Sequence, residues 1–399
     1  MRDSNEMEVQ SPMSSHIRNA RLADTDADYE RLGIVRGEAR PHEDGIRTDG
    51  GPGSFEWWYT DAQFDDQTQV VLIFYTKNYF DVRGPAHPTA DIVITYPDGS
   101  IRRGAVALTE GSTITAATDR CDVSVENCSI RYDDGKYVLH YQDDQISYHA
   151  VMTSTLPMFR PATGHWFFGD DDEHVLGWFA AQPATTVEAT LTVDGKEKTL
   201  TGTGYHDHNW GNVAMNEIMN HWYWGRATVG DYHVISVDII TEEKYGYKRL
   251  PAFMLAKDGA IISDDQSITQ ISREDTVLHP KTGKFIDNRL IFRQPLSPEE
   301  SYTVEWIRKR DLGSDNLLDQ VSLPVRILAK VVGANPTYTR IVGDVKLTHT
   351  VGDSSEVVED TGLWEQMFFG NNKTAIIDGE EVESLEQLKR DTKESDAAE

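Results

Sequence analysis

From Pro52 onward, apolar and polar residues alternate with a period of two over short runs that are separated by turn residues, the pattern of half-buried β-strands. FEWWYTDAQF and VVLIFYTKNYF, joined by a polar DDQTQ turn, predict a first hairpin; ADIVITYP and IRRGAVAL, joined by Asp-Gly-Ser, predict a second. CDVSVENCSIRYD, YVLHYQ and ISYHAVMTST continue the rhythm, with Tyr137, Leu139 and Tyr141 on one face and Val138 and His140 on the other. VEATLTV and KTLTGTGYHDHNW predict another hairpin around an Asp-Gly turn. Residues 156–183 interrupt the pattern. They are rich in Pro, Gly and aromatic residues, and are expected to form a long functional loop or lid.

After VAMNEIMN, which suits one or two helical turns, a second series begins. Its expected strands are HWYWGRATV, DYHVISVDIITE, PAFMLAKDGAIIS, DNRLIFRQ, SYTVEWIRKRDL, PVRILAKVV, TRIVGDVKLTH and GLWEQMFF. Many short strands with almost no long helical period place the chain in the all-β class, as sandwiches or barrels. The expected layout is a flexible N-terminal arm (1–47), two β domains (48–215 and 216–378) and a charged tail (379–399) that is either a frayed helix or disordered.

Composition narrows the partners. The 399 residues carry a formal charge of −28 with no local basic patch, which argues against nucleic acid and anionic membrane surfaces. No run of some 18 apolar residues occurs, so stable membrane insertion is not expected, and the first forty residues lack the apolar core of a secretory signal. The expected location is therefore cytoplasmic, with a hydrophobic small molecule as the partner. Cys121 and Cys128 are too few for a disulfide framework; they either pair across a hairpin or remain buried thiols.

The densest chemistry lies in GTGYHDHNWGN, Gly202 to Asn212. Strand alternation puts Tyr205, Asp207 and Asn209 on one side and His206, His208 and Trp210 on the other. His206 and His208 on one face can begin a divalent metal site, with Asp238, His221 or Glu56 as a third ligand, but the short spacing is a weak signal. A serine hydrolase is disfavoured because no nucleophile-elbow sequence occurs. Acid chemistry fits better. Asp238 in HVISVDII is an isolated carboxyl on the face of Val234, Ser236 and Ile240, where burial would keep it protonated. Trp57, Trp58, Trp210, Trp222 and Trp224 supply aromatic faces for a carbocation, and a neutral His208 can assist attacking water. Each assignment has a plainer competitor: Asp238 paired to Arg226, Asp207 as a hydrogen-bond acceptor, Glu56 bonded to backbone or arginine, and Trp364 with Glu365 at a domain interface.

FEWWYTDA (Phe55 to Ala62), the YHDHNWG segment, the Trp-Tyr-Trp-Gly strand and GLWEQMFFG (Gly362 to Gly370) together resemble the carotenoid 1,2-hydratase (hydroxyneurosporene synthase) family, which is related to kievitone hydratase and to fungal lipocalin-like Diels-Alderases. The resemblance spans roughly residues 50 to 372. It implies two consecutive lipocalin-like β domains with a pocket near their junction and no cofactor or metal. It also implies a catalytic set of His208, Trp210 and Asp238, with Ser236 standing where the family has a tyrosine. Substrate contacts are then expected from Glu56, Trp57, Tyr59, Tyr205, His206, Asp207, Asn209, Trp222, Trp224 and Arg226. The implied activity is metal-free hydration of an isoprenoid or prenyl C=C bond to a tertiary alcohol. A terpenoid or polyketide cyclase or pericyclase is the alternative, and a carrier of a lipophilic ligand the second alternative.

Overall fold

A computed structural model describes residues 16–79, 81–317 and 336–369, together with the backbone of two short paired strands, Ala375–Ile377 and Glu380–Glu383. Two curled antiparallel sheets dominate it. The first contains 13 strands drawn from Ala20 to Gly211, and the second contains nine drawn from Met219 to Phe368. Among the described residues no helix is long and apolar enough to cross a membrane.

The alternation seen in the sequence sets the sheets' faces. In the strand Gln69–Tyr75, Val70, Leu72 and Phe74 are buried while Val71 and Ile73 are only half-buried. Hence one face of the first sheet closes over a core of Trp58, Leu72, Ile92, Leu139 and Tyr148. The second sheet encloses its own core around Val304, Trp306, Ile341 and Trp364. A third cluster, including Phe55, Trp178, Tyr205, Met219, Val237 and Met367, draws on both sheets and packs them together. The short helix Met215–Ile218 links the sheets, as VAMNEIMN suggested.

Four expectations need correction. Residues 156–183 are not one loop: His165–Phe168 is a strand, and His174–Val193 is a single strand of 20 residues that pairs with Lys196–Gly211. Irregular register between Phe179 and Thr185 lets this long strand bend, so Pro183 and the small residues around it are accommodated without ending it. The turn between the two strands is the expected Asp194-Gly195, both at positive φ (50° and 76°).

Residues 16–47 are likewise ordered, not a flexible arm. Ala20–Leu22 pairs with His165–Phe168, and a Thr25 capping box starts the helix Asp26–Leu32. The 3-10 turn Pro41–Asp44 then carries Asp44 fully inside the first sheet. The third correction is a strand that the hydrophobic pattern did not flag, Gln270–Leu278. The fourth is at Glu380–Glu383, which is paired as a strand and not frayed. PVRILAKVV and residues 384–399 lie outside the described residues, as do residues 1–15. Cys121 and Cys128 are free, buried thiols.

The long pair of strands is held tightly at its junction end. Gly177 is in register with Trp210, and a Cβ at position 177 would sit inside the indole ring. Gly177→Ala should therefore lower unfolding stability by about 1–3 kcal/mol through overpacking. A urea midpoint unchanged from the parent protein would contradict this close approach.

Candidate active site

The strand Lys196–Gly211 serves two separate environments. Its neighbours are His174–Val193 on one side and Phe55–Phe64 on the other, so its side chains have room only above and below the sheet. Tyr205, Asp207 and Asn209 point to the junction, while His206, His208 and Trp210 point the other way, the division expected from alternation.

On the inner side, His206 and His208 are fully buried and tie down the N-terminal segment. His206 Nδ1 faces the Tyr59 carbonyl at 2.8 Å and Nε2 faces Asp44 Oδ2 at 3.0 Å. Both partners are acceptors, so both ring nitrogens carry protons and His206 is an imidazolium. Burial opposes that charge, but Asp44's charge and hydrogen bond outweigh it and raise the His206 pKa. Tyr137 donates to the same Asp44 oxygen at 2.5 Å, and Trp58 Nε1 donates to the Asp44 carbonyl at 3.1 Å.

His208 Nε2 lies 2.7 Å from Glu56 Oε1, its Nδ1 lies 3.4 Å from Asp44 Oδ1, and its ring stacks on Trp58 at 4.6 Å. Glu56 also accepts from the Arg47 and Thr48 amides at 2.7 Å each and from the Thr48 hydroxyl at 2.8 Å. Glu56, His206 and His208 thus bind the chain to itself.

Asp44, Cys121 and His206 each bring one ligand atom to within 4.8 Å of the others, the one group among the described residues with metal-like convergence. It differs from the combinations expected with Glu56, His221 or Asp238. Burial, reinforced by Asp44, keeps Cys121 as a thiol, and His206 is occupied as Asp44's counter-ion.

Asp238 occupies a third location. It lies between Val237 and Ile239, which face the junction, and points the opposite way into the second sheet's interior. Arg249 Nε donates to Oδ1 at 3.0 Å, and Arg273 donates to Oδ2 through Nε at 2.9 Å. Burial would raise its pKa, but the two guanidiniums outweigh burial and hold it below the usual carboxylate value. Asp238 is thus an ionised structural carboxylate and not a buried acid. Its expected partner, Arg226, pairs instead with Asp61 across the junction. His208, Trp210 and Asp238 consequently do not share a pocket; Trp210 lies in a separate cavity, edge-on to His165 at 5.1 Å.

The junction itself holds an aromatic chamber of about 210 Å³. Seven of the residues expected to contact substrate line it: Trp57, Tyr59, Tyr205, Asp207, Asn209, Trp222 and Trp224. Its two carboxyl groups come from different sheets. Asp207 accepts from Trp178 Nε1 at 2.9 Å, Tyr205 OH at 2.8 Å and Asn209 Nδ2 at 2.9 Å. Burial prevails over these donors and pushes its pKa up to about 6. Glu365 accepts from Tyr338 OH at 2.6 Å and Trp222 Nε1 at 3.4 Å, and burial raises its pKa as well.

Glu365, Trp178 and Tyr338 are among the chamber residues that were not expected to contact substrate, and they carry polar groups. The available signal for Glu365 was its phase in GLWEQMFF, which puts it on the same face as Leu363 and Met367 while Trp364 enters the second core.

The His206–Asp44 pair has a pH signature. The folded pKa of His206 lies above its ordinary 6.5, so its stabilisation is complete below that value and fades as pH rises through the raised one. Asp44→Asn should cost about 3–5 kcal/mol at pH 6 by leaving a buried charge unpaired. In urea titrations the gap to the parent protein should narrow toward pH 9; a gap constant across that range would rule out the imidazolium.

The comparisons with known proteins converge on this architecture. Two curated relatives are each 26% identical: the quinolone epoxide rearrangement protein penF of Penicillium thymicola over 228 residues (52% of this chain, 61% of the relative), and the hydroxyneurosporene dehydrogenase of Chlorobaculum tepidum over 213 residues (44% and 54%). The chain thus spans between half and two thirds of the length of these curated relatives. The crystal structure of CghA superposes with a TM-score of 0.55 at 15% identity, covering 85% of this chain and 98% of CghA, which supports the lipocalin-like fold. A family model described as Diels-Alderase-like matches residues 51–288, which include both faces of the central strand, and the chain belongs to that Diels-Alderase-like family.

Proposed function

We propose that the protein is an enzyme of the hydratase or cyclase type that acts on a hydrophobic small molecule in the junction chamber, and that its reaction is an acid-assisted cyclisation or rearrangement. The observation that carries this reading is Asp207: a carboxyl with a pKa of about 6, inside an aromatic chamber, whose conjugate base already has three hydrogen-bond donors. A carboxyl protonated to about one tenth at pH 7 is a usable general acid. Once it has given up its proton, Trp178, Tyr205 and Asn209 stabilise the carboxylate without rearrangement.

The step balances without an added reagent. Asp207 protonates an alkene carbon or an epoxide oxygen, and positive charge develops on a substrate carbon facing Trp57, Trp222 and Trp224. A second π bond or a migrating group closes on that carbon, and the proton lost from the product returns to Asp207. The product is an isomer of the substrate. The relative named for quinolone epoxide rearrangement is consistent with such chemistry. His208, the residue expected to assist an attacking water, faces the opposite side of the sheet, which favours isomerisation over hydration.

Incubation with prenylated, polyene and epoxide substrates in heavy-oxygen water should yield isomers of unchanged mass. Labelled hydroxyl in the product would replace this reading with hydration. Asp207→Asn should lower kcat by about 10²–10⁴-fold while substrate still quenches tryptophan fluorescence. In the parent protein, kcat should rise as pH falls through about 6, because the protonated carboxyl is the active form. An Asp207→Asn enzyme with full activity would exclude Asp207 as the acid.

A further inference from the structure

The aromatic chamber adjoins a second, larger space of about 580 Å³ between the sheets, and Tyr59, Trp224, Tyr338 and Glu365 line both. The outer space has a different chemistry. Threonine side chains from both sheets contribute to its wall, together with two arginines, Arg226 and Arg340. Arg226 is committed: it pairs with Asp61 and lies over the Tyr205 ring at 4.9 Å. Arg340 is half-buried on the same wall, yet its guanidinium hydrogen-bonds to no described residue and forms no ion pair with one.

Its position in the sheet is fixed. Arg340 is in register with Glu365, and Glu365 is in register with Trp224, so the three form a row across adjacent strands from the outer space to the aromatic chamber. Glu365 does not neutralise the arginine by a direct contact, since its hydrogen bonds come from Tyr338 and Trp222. A guanidinium held at the mouth of an apolar chamber, with its donors unspent, is a receptor for a planar anion. The formal charge of −28 makes that local feature telling, because the field of the whole molecule repels anions.

The geometry points to an amphipathic acid as the ligand: a carboxylate or enolate held by Arg340 in the outer space, with the attached apolar chain in the aromatic chamber. This rests on the junction chamber being the substrate site and specifies the substrate class that it takes. Arg340 is then a specificity determinant that does not touch the reacting atoms.

Geranic acid and geraniol share one skeleton and serve as probes at pH 7.5, with binding read by tryptophan quenching and calorimetry. The acid should bind at least about tenfold more tightly than the alcohol, the worth of one charge-assisted bidentate contact. Arg340→Gln should abolish the preference while leaving geraniol binding unchanged, Arg340→Lys should keep part of it, and Arg340→Glu should reverse it. Circular dichroism and the geraniol affinity report whether each variant is folded. Equal binding of acid and alcohol by the parent protein, or a preference that survives in Arg340→Gln, would overturn the assignment. Asp207→Asn should retain the acid preference. An active Asp207→Asn enzyme that still prefers the acid would overturn the acid mechanism and leave this inference standing; an inactive one with no preference would do the reverse.

Discussion

One strand has to satisfy two demands that only opposite faces can meet. Between Tyr205 and Trp210, every odd residue faces the junction of the sheets and every even residue faces the interior of the first. A shift of one residue would exchange the two sets, placing two histidines in the aromatic chamber and a carboxylate beside Asp44 and Glu56. Pairing on both edges prevents that shift, because the neighbouring strands hold the register continuously from Gly202 to Gly211 on one side. The chemistry of the chamber thus depends on the ion pairs behind it.

Those ion pairs are unusual in how much they conceal. Asp44, Glu56, His206 and His208 are all fully buried, and their polar atoms are matched to one another and to backbone amides. A second set, Asp238 with Arg249 and Arg273, does the same for the other sheet, where Arg273 also reaches His221 at 2.8 Å. Each sheet therefore has a polar centre of its own, and buried pairs of this kind are costly to break singly. The chamber between the sheets is different: its carboxyls accept hydrogen bonds from neutral donors, and burial raises the pKa of both.

Alternation made much of this legible in advance. The hairpins, the all-β class and the two faces of the GTGYHDHNWGN strand follow from period-two patterning, whereas the chamber's lining by Trp57, Tyr59, Tyr205, Trp222 and Trp224 was expected from the family resemblance. The pairing of acids with bases did not follow, for reasons that are physical. The strand Gln270–Leu278 carries polar residues on both faces and gives no hydrophobic period, so Arg273 was invisible and Asp238 looked isolated. The segment around Asp44 is polar and resembles a tail; what buries it is charge complementarity with His206, which no hydropathy pattern records. Residues 174–183 looked like a loop because Gly and Pro interrupt them, yet long pairing with the next strand overrides that local preference.

Asp207 belongs to the first sheet and Glu365 to the second, and the Arg226–Asp61 contact crosses between them. The distance across the chamber is therefore a docking coordinate, set by how two separately cored bodies rest on each other. A substitution anywhere on that contact surface can widen or narrow the chamber without replacing a single lining residue. Related chains can in this way diverge in the size of molecule they admit while their chamber residues remain the same, and swapping lining residues alone would not transfer that selectivity from one chain to another.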